Sequence, residues 1–181
     1  MDFVRKDECQ RVVLSGCSGG GKTSLLNRFA QKGLTTFAEP GRQVIETRGI
    51  RPEDAPTEFA VACVEIALSQ YQNAPPGLSF HDRSILDALC WFHRSKTPLP
   101  SRFRDLAQNC RYHAVVFLVP PWPEIFVNDH MRRHDLSDAI AEYDALLDWL
   151  PLMGYETCIV PQTDLSARAE WILAKLMENK R

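Results

Sequence analysis

Hydrophobic and polar positions change period repeatedly along this chain, and each change marks an element. Residues 11–15 form a compact β-branched run that ends in glycine, so they predict a strand. Over 23–32 the apolar positions Leu25, Leu26, Phe29 and Ala30 fall on helical spacing, and Gly33 supplies a C-terminal cap. Residues 34–38 predict a short strand and 57–71 a helix apolar on most faces. A strand over 78–81 leads into a helix over 84–93, opened by Ser84 and Asp87 at capping-box spacing. The run 113–119 is apolar without interruption, the pattern of a strand buried on both faces. A stripe at Ile140, Tyr143, Leu147 and Leu150 predicts a helix over 138–150, ended by Pro151. A last strand over 156–160 precedes a helix over 166–177, striped at Ala169, Ile172, Leu173 and Leu176. Strand–helix alternation of this kind predicts an α/β fold with a mostly parallel sheet. Ligands then bind at the carboxyl ends of the strands.

Length and charge narrow the classes. The 181 residues are enough for one domain, 1–181, with a core that needs no disulfide or metal. The longest apolar stretch, 114–122, is too short for a bilayer, and the first residues carry no signal-peptide core. No membrane association is expected. A net charge of −2 gives no general footprint for nucleic acid. Six cysteines lack any Cys-x-x-Cys pair and mostly lie inside apolar segments, so reduced, buried thiols in a cytoplasmic protein are expected. His130 and His134 stand four apart but have no third ligand in view, so no zinc site is read there.

The densest chemistry follows the first strand. Gly16-Cys17-Ser18-Gly19-Gly20-Gly21-Lys22-Thr23 fits G-x-x-x-x-G-K-[ST] without a mismatch, and Ser24 follows. Backbone N–H groups can wrap a phosphate only where side chains leave room, which is why glycines cluster here. The helix that follows aims its positive end at the same phosphates. Lys22 is the expected mobile cation for the β- and γ-phosphates. The Thr23 hydroxyl suits Mg²⁺. A strand enters the motif and an amphipathic helix leaves it, as a nucleotide-binding P-loop requires.

Second motifs separate the kinds of P-loop protein. The strongest apolar strand ends in Pro120-Pro121 rather than Asp-Glu, unlike a motor-type ATPase. Asp-x-x-Gly and Asn-Lys-x-Asp, the marks of a regulatory GTPase, are missing. Two strands end instead in Glu39-Pro40-Gly41-Arg42 and Asp82-Arg83-Ser84. These resemble the corresponding motifs of nucleoside and thymidylate kinases. Together with Pro120-Pro121-Trp122-Pro123-Glu124 and Arg132-Arg133-His134-Asp135, they make the chain similar, from about 11 to 176, to the small bacterial "AAA domain" family of P-loop ATPases and kinases. That family is related to nicotinamide riboside kinase. Ser84 stands where the family commonly has glycine.

The resemblance implies a three-layer α/β/α sandwich with a parallel five-stranded sheet in the order 2-3-1-4-5. It also implies a lid over about 123–137 that closes on the phosphates. Asp82, at a strand's carboxyl end, is then a ligand of Mg²⁺ or a base for the acceptor hydroxyl. Glu39 is implied as acceptor contact or base, and Arg42 and Arg83 are candidate substrate-side cations. Arg132 and Arg133 are the lid's candidates for stabilising charge on the transferred group. Trp122 is expected to pack under the lid and His81 to point into packing. The loop Pro161-Gln162-Thr163-Asp164 is implied as the border of the base. The residues carry no adenine or guanine code, so ATP is the expected donor and GTP stays open. Three functions remain. One is Mg²⁺·ATP-dependent phosphoryl transfer to a small-molecule acceptor. The others are NTP hydrolysis without an acceptor and a nucleotide-gated binding module.

Overall fold

The first strand sets the frame. In the computed structural model, which describes residues 9–125 and 136–178, β1 (Cys9–Gly16) carries Val12, Val13 and Leu14, all without solvent exposure. A strand buried on both faces needs a layer of helices on each side. The chain supplies them in alternation: α1 (Lys22–Gln31), β2 (Thr35–Phe37), α2 (Pro40–Arg48), α3 (Pro56–Asn73), β3 (Gly77–Asp82), α4 (Ile85–Ser95), a 3₁₀ turn (Ser101–Phe103), α5 (Leu106–Asn109), β4 (Val115–Val119), a second 3₁₀ turn (Pro123–Ile125), α6 (Leu136–Leu152), β5 (Glu156–Ile159) and α7 (Leu165–Glu178).

All strands pair in parallel, in the order β2-β3-β1-β4-β5. Alternate residues of β1 and β4 feed two separate apolar clusters. Val12, Leu14, Phe80, Val115 and Phe117 pack with α1 and α7, where Phe29 stacks on Phe80 at 4.0 Å between centroids. Val13, Val116 and Leu118 pack with α3, α4 and α6 on the opposite face. The register sets Leu14 beside Asp82 and Gly16 beside Val119, so the carboxyl ends of β1, β3 and β4 meet at one edge.

Several elements differ from the sequence pattern for local reasons. Residues 39–42 read as a motif at a strand end, yet Pro40 starts a helix there that runs to Arg48. Glu39 is its N-cap, and Gly49 closes it with φ +67°. β4 starts at Val115 rather than 113, because the Val115 N–H goes to the His113 ring. α6 runs through Pro151 to Leu152, although Pro151 has no N–H to give to the carbonyl four residues back. The capping box at Ser84 and Asp87 forms as expected. Cys17, Cys63, Cys90, Cys110 and Cys158 are free thiols. Among the described residues no helix is long and apolar enough to cross a membrane.

Candidate active site

The loop between β1 and α1 is built by glycine. Gly16, Gly19 and Gly21 have φ of +101°, +78° and +87°, a region that side chains disfavour. A Cβ on Gly16 would overlap the Val119 carbonyl, and one on Gly20 would come within 2.5 Å of Val119 Cγ1. The loop therefore lies flat on the end of β4, fastened by the Cys17 N–H to Val119 O at 2.9 Å. Gly21 leaves α1 without a side-chain cap, and its first turn holds no acid. The positive end of α1 thus meets no counter-charge from its own first turn, the arrangement that receives phosphate.

Lys22 departs from expectation. It is buried, and its ammonium folds back to donate to Cys17 O at 2.8 Å and Gly16 O at 3.3 Å. An ammonium has three donors, and the inward-turned carbonyls of its own loop are acceptors within reach. Thr23 and Ser24 are exposed at the mouth. Thr23 Oγ1 donates to Asp82 Oδ2 at 3.1 Å, whereas Asp82 Oδ1 is buried with no hydrogen-bond partner. Burial pushes the Asp82 carboxyl up, with Glu39 adding to the effect, against the pull of Lys22, Arg83 and the Thr23 bond. A buried carboxylate oxygen without a donor, beside a threonine hydroxyl, suits a hard cation that keeps some of its waters. Among the described residues no three His, Cys, Asp or Glu side chains gather as a metal cage.

A second group of side chains surrounds Arg83. Its backbone turns left-handed, with φ +66°, and its N–H bonds to Leu14 O at 2.8 Å. A non-glycine residue pays about 1–2 kcal/mol for that conformation, and such strain collects at functional sites. The turn swings the guanidinium onto three carboxylates from three elements. Glu142 on α6 takes Nη1 and Nη2 at 2.8 and 3.0 Å, Glu39 accepts from Nε at 3.2 Å, and Asp87 on α4 lies 3.5 Å from Nη1. Asp87 also receives the Ser84 N–H and hydroxyl and the Ser15 hydroxyl, so it ties β1, the turn and α4 together. Burial raises the Asp87 carboxyl in spite of Arg83 and these bonds. At Glu142 desolvation pushes the same way, but the Arg83 guanidinium prevails and holds the carboxyl below its usual range. Arg42 pairs with Glu39 at 3.4 Å.

Beyond this cluster opens a cavity of about 370 Å³ that reaches from Ser18 of the loop past Glu39, Arg42 and Arg83. Its far walls carry Ile45, Pro52, Phe59 and Trp91, with Arg94 and Asp138 also in the lining. The Cys63 thiol in the wall is pushed by burial to about 12 and stays protonated. Gly41 matters here, because a Cβ on it would come within 3.1 Å of Phe59. His81 faces away into packing as expected, stacked on Phe37 at 4.6 Å and edge-on to Tyr112. Burial, aided by Arg11, lowers its pKa to about 4.

The structure thus gathers the predicted Gly16–Thr23 loop, Asp82, Glu39, Arg42 and Arg83 at one edge of the sheet. Arg132 and Arg133, like His130 and His134, lie outside the described residues. Four further residues carry weight that the sequence did not announce. Glu142, Asp87 and Ser15 complete the Arg83 cluster. Arg168 on α7 reaches back to Gly20 O at 2.9 Å and lies over Trp122, its Cζ 5.4 Å from the ring centroid. Of these only Asp87 had a signal, its capping-box spacing. Asp164 caps α7, and Gln162 ties its loop to Pro121 O at 2.7 Å.

A protein-family profile described as an AAA domain matches residues 11–168. The chain belongs to this AAA-domain family. Solved structures similar to it are P-loop kinases. Deoxyadenosine kinase from M. mycoides with bound dATP matches with a TM-score of 0.67 at 13% identity, over 93% of this chain and 100% of that one. A NadR protein in complex with NR matches with a TM-score of 0.70 at 18% identity, over 93% of this chain, which spans 51% of NadR. Shikimate kinase from Acinetobacter baumannii in complex with shikimate matches with a TM-score of 0.62 at 14% identity, over 94% of each chain. No match was found among curated proteins. At these identities the likeness establishes the fold: the family member described here has the five-stranded P-loop kinase sheet, order 2-3-1-4-5.

Proposed function

We propose that the protein is a phosphotransferase that moves the γ-phosphoryl group of Mg²⁺·ATP to a hydroxyl of a small molecule. The observation that carries this reading is the cavity that joins the phosphate loop to Glu39 and Arg83. A hydrolase needs only water beside the γ-phosphate. A walled volume of about 370 Å³ is within the range of small-molecule sites.

Each residue then has a task. The loop from Gly16 to Thr23 holds the phosphates by backbone N–H groups. Lys22 leaves its loop carbonyls for the β- and γ-oxygens. Thr23 and Asp82 would hold Mg²⁺, which neutralises phosphate charge when bound. Glu39 lines the cavity and Asp82 does not, so Glu39 is assigned to the acceptor hydroxyl and Asp82 to the metal. The acceptor oxygen forms a bond to the γ-phosphorus, the β–γ bridging bond breaks, and the hydroxyl proton passes to the Glu39 carboxylate. Arg83 holds Glu39 in place through its Nε bond at 3.2 Å. Arg132 and Arg133 belong to the proposed lid, about 123–137, of a single domain over 1–181. They would meet the charge that grows on the transferred group.

The test is label transfer. ATP labelled at the γ-phosphate is incubated with hydroxylated metabolites, and labelled product is scored against free phosphate. Transfer to an organic acceptor supports the proposal. Phosphate release alone, unchanged by every compound tried, would replace it with the hydrolase reading.

A further inference from the structure

α7 buries a charge beside the phosphate loop. Its buried residues are Arg168, Ala169, Ile172 and Leu176, and the last three belong to the apolar cluster shared with α1. Arg168 is 3% exposed, yet among the described residues no carboxylate pairs with it. Burial lowers its pKa, with no neighbouring charge to oppose the effect. An apolar side chain would fill the space without that penalty, so the guanidinium has to be explained by what it touches. Nη2 donates to Gly20 O at 2.9 Å, Cζ lies 5.4 Å from the centroid of the Trp122 ring, and Nε is buried without a hydrogen-bond partner. The loop carbonyl and the indole face set its orientation, at the expense of its other donors.

The Gly20 carbonyl and the Gly21 N–H are two ends of one peptide unit. Gly20 is tightly seated: its N–H goes to Cys17 O at 3.4 Å, and a Cβ would come within 2.5 Å of Val119 Cγ1. A charged donor on the carbonyl polarises the amide and makes its N–H the stronger donor. Among the described residues no acceptor takes the Gly21 N–H. It stands at the head of α1, where unpaired N–H groups meet phosphate. We infer that Arg168 is a positioning residue for the donor phosphates: it pins the Gly20–Gly21 peptide and strengthens the Gly21 N–H toward an α- or β-phosphate. This rests on the phosphate-loop part of the proposed function, which transfer and hydrolysis share. Arg168 acts through the peptide and needs no contact with the nucleotide. Its buried charge also faces bound phosphate across a poorly screened interior. Removing it should therefore weaken nucleotide binding while the free protein keeps its stability.

Two experiments on the full chain test this. The first titrates Mg²⁺·ADP by calorimetry, since ADP carries the phosphates the loop holds. Arg168→Met keeps an apolar stem against Trp122 and should weaken ADP at least about tenfold, the scale of one charge-assisted hydrogen bond. Arg168→Lys keeps a charge and a donor and should bind ADP at least about threefold more tightly than Arg168→Met. In the free protein the lost bond to Gly20 O and the relieved burial of charge oppose each other. The melting temperature of Arg168→Met should therefore stay within about 3 °C of the wild type. ADP affinity within about twofold of the wild type overturns the inference. So does an equal loss in the Met and Lys variants with a fall of more than about 6 °C in both, the behaviour of a mere brace for α7. The second experiment follows the Gly20 carbonyl carbon and the Gly21 amide nitrogen by NMR without nucleotide. Both should move upfield in Arg168→Met, and resonances that stay in place overturn the inference. If the wild type binds ADP but only releases phosphate from ATP, the phosphotransferase reading fails and these measurements still decide this one. If the wild type binds neither ADP nor ATP, the phosphate-loop reading fails and the inference falls with it. Should Arg168→Met not fold, Arg168→Gln replaces it. Its neutral donor should leave ADP weaker than in Arg168→Lys, and equal affinities overturn the inference.

Discussion

Arg83→Met removes the charge that three carboxylates share, and its cost can be worked from their burial. Glu39 and Asp87 have side chains about a tenth exposed, at 10% and 8%, so neither can turn to water without moving its helix. Leaving a buried partner uncompensated costs about 3–5 kcal/mol. Glu142, at 36%, reaches solvent and adds little of its own. The expected loss at pH 8 is therefore about 3–4 kcal/mol. The loss has a pH signature. Without Arg83 the Asp87 carboxyl, already raised by burial, moves further above its unfolded value. It then binds a proton that the unfolded chain has released, and the variant gains stability as pH falls. The gap to wild type should shrink between pH 8 and pH 5. Arg83→Gly separates backbone from charge. It loses the same guanidinium but relieves the φ of +66°, so it should be about 1 kcal/mol more stable than Arg83→Met. Urea denaturation of the three proteins at pH 8 and pH 5 measures all of this. A loss below about 1 kcal/mol at pH 8, the scale of a surface pair, or one indifferent to pH, would refute the buried-cluster account.

Other expectations follow from the same geometry. Asp82→Asn should lower Mg²⁺-dependent ATP turnover at least about 100-fold, yet leave the melting temperature equal or higher, because burial already disfavours the charge; calorimetry with a steady-state assay checks both. Gly16→Ala drives a Cβ into the Val119 carbonyl and strains a φ of +101°. It should cost about 2–3 kcal/mol and abolish nucleotide binding, read by thermal shift with and without ATP. His81 is neutral in the fold with a pKa near 4, against 6.5 when free, so stability should fall as pH drops through that window. The fall is up to about 3 kcal/mol, and His81→Phe should flatten it in denaturation curves from pH 7 to 4. Arg132→Ala or Arg133→Ala should lower kcat about 10²–10³-fold with little change in ATP affinity, as single-turnover rates would show; wild-type rates in both would remove the arginines from the lid.

What the sequence could and could not convey follows from distance along the chain. The phosphate loop was legible because eight consecutive residues make it, and glycine is the residue such a loop cannot replace. The strands were legible from apolar runs, while the sheet order came from resemblance, since periodicity carries no order. α2 was missed because Pro40 and Val44 are its only buried residues, too few to set a helical stripe, and Glu-Pro-Gly reads as a turn. Glu142 is 59 residues from Arg83 and Arg168 is 148 from Gly20, so nothing local reveals either contact. Each reads as an ordinary charged position on an amphipathic helix. Lys22 was expected as a mobile cation, and its burial depends on where two loop carbonyls point, which residue type does not encode.

The two apolar clusters on opposite faces of the sheet bear on how this protein can change. The cavity wall draws Ala60, Ala88 and Ala139 from the cluster of α3, α4 and α6, and the described wall takes no residue from the cluster of α1 and α7. Substitutions on separate faces have nearly additive effects. The packing of α1 and α7 and the choice of acceptor can thus drift independently in a lineage, while Cys17 of the phosphate loop stays with the cavity-side cluster. Enlarging one of those three alanines, or shrinking Trp91, would retune the acceptor while the packing beneath α1 and α7 is inherited unaltered.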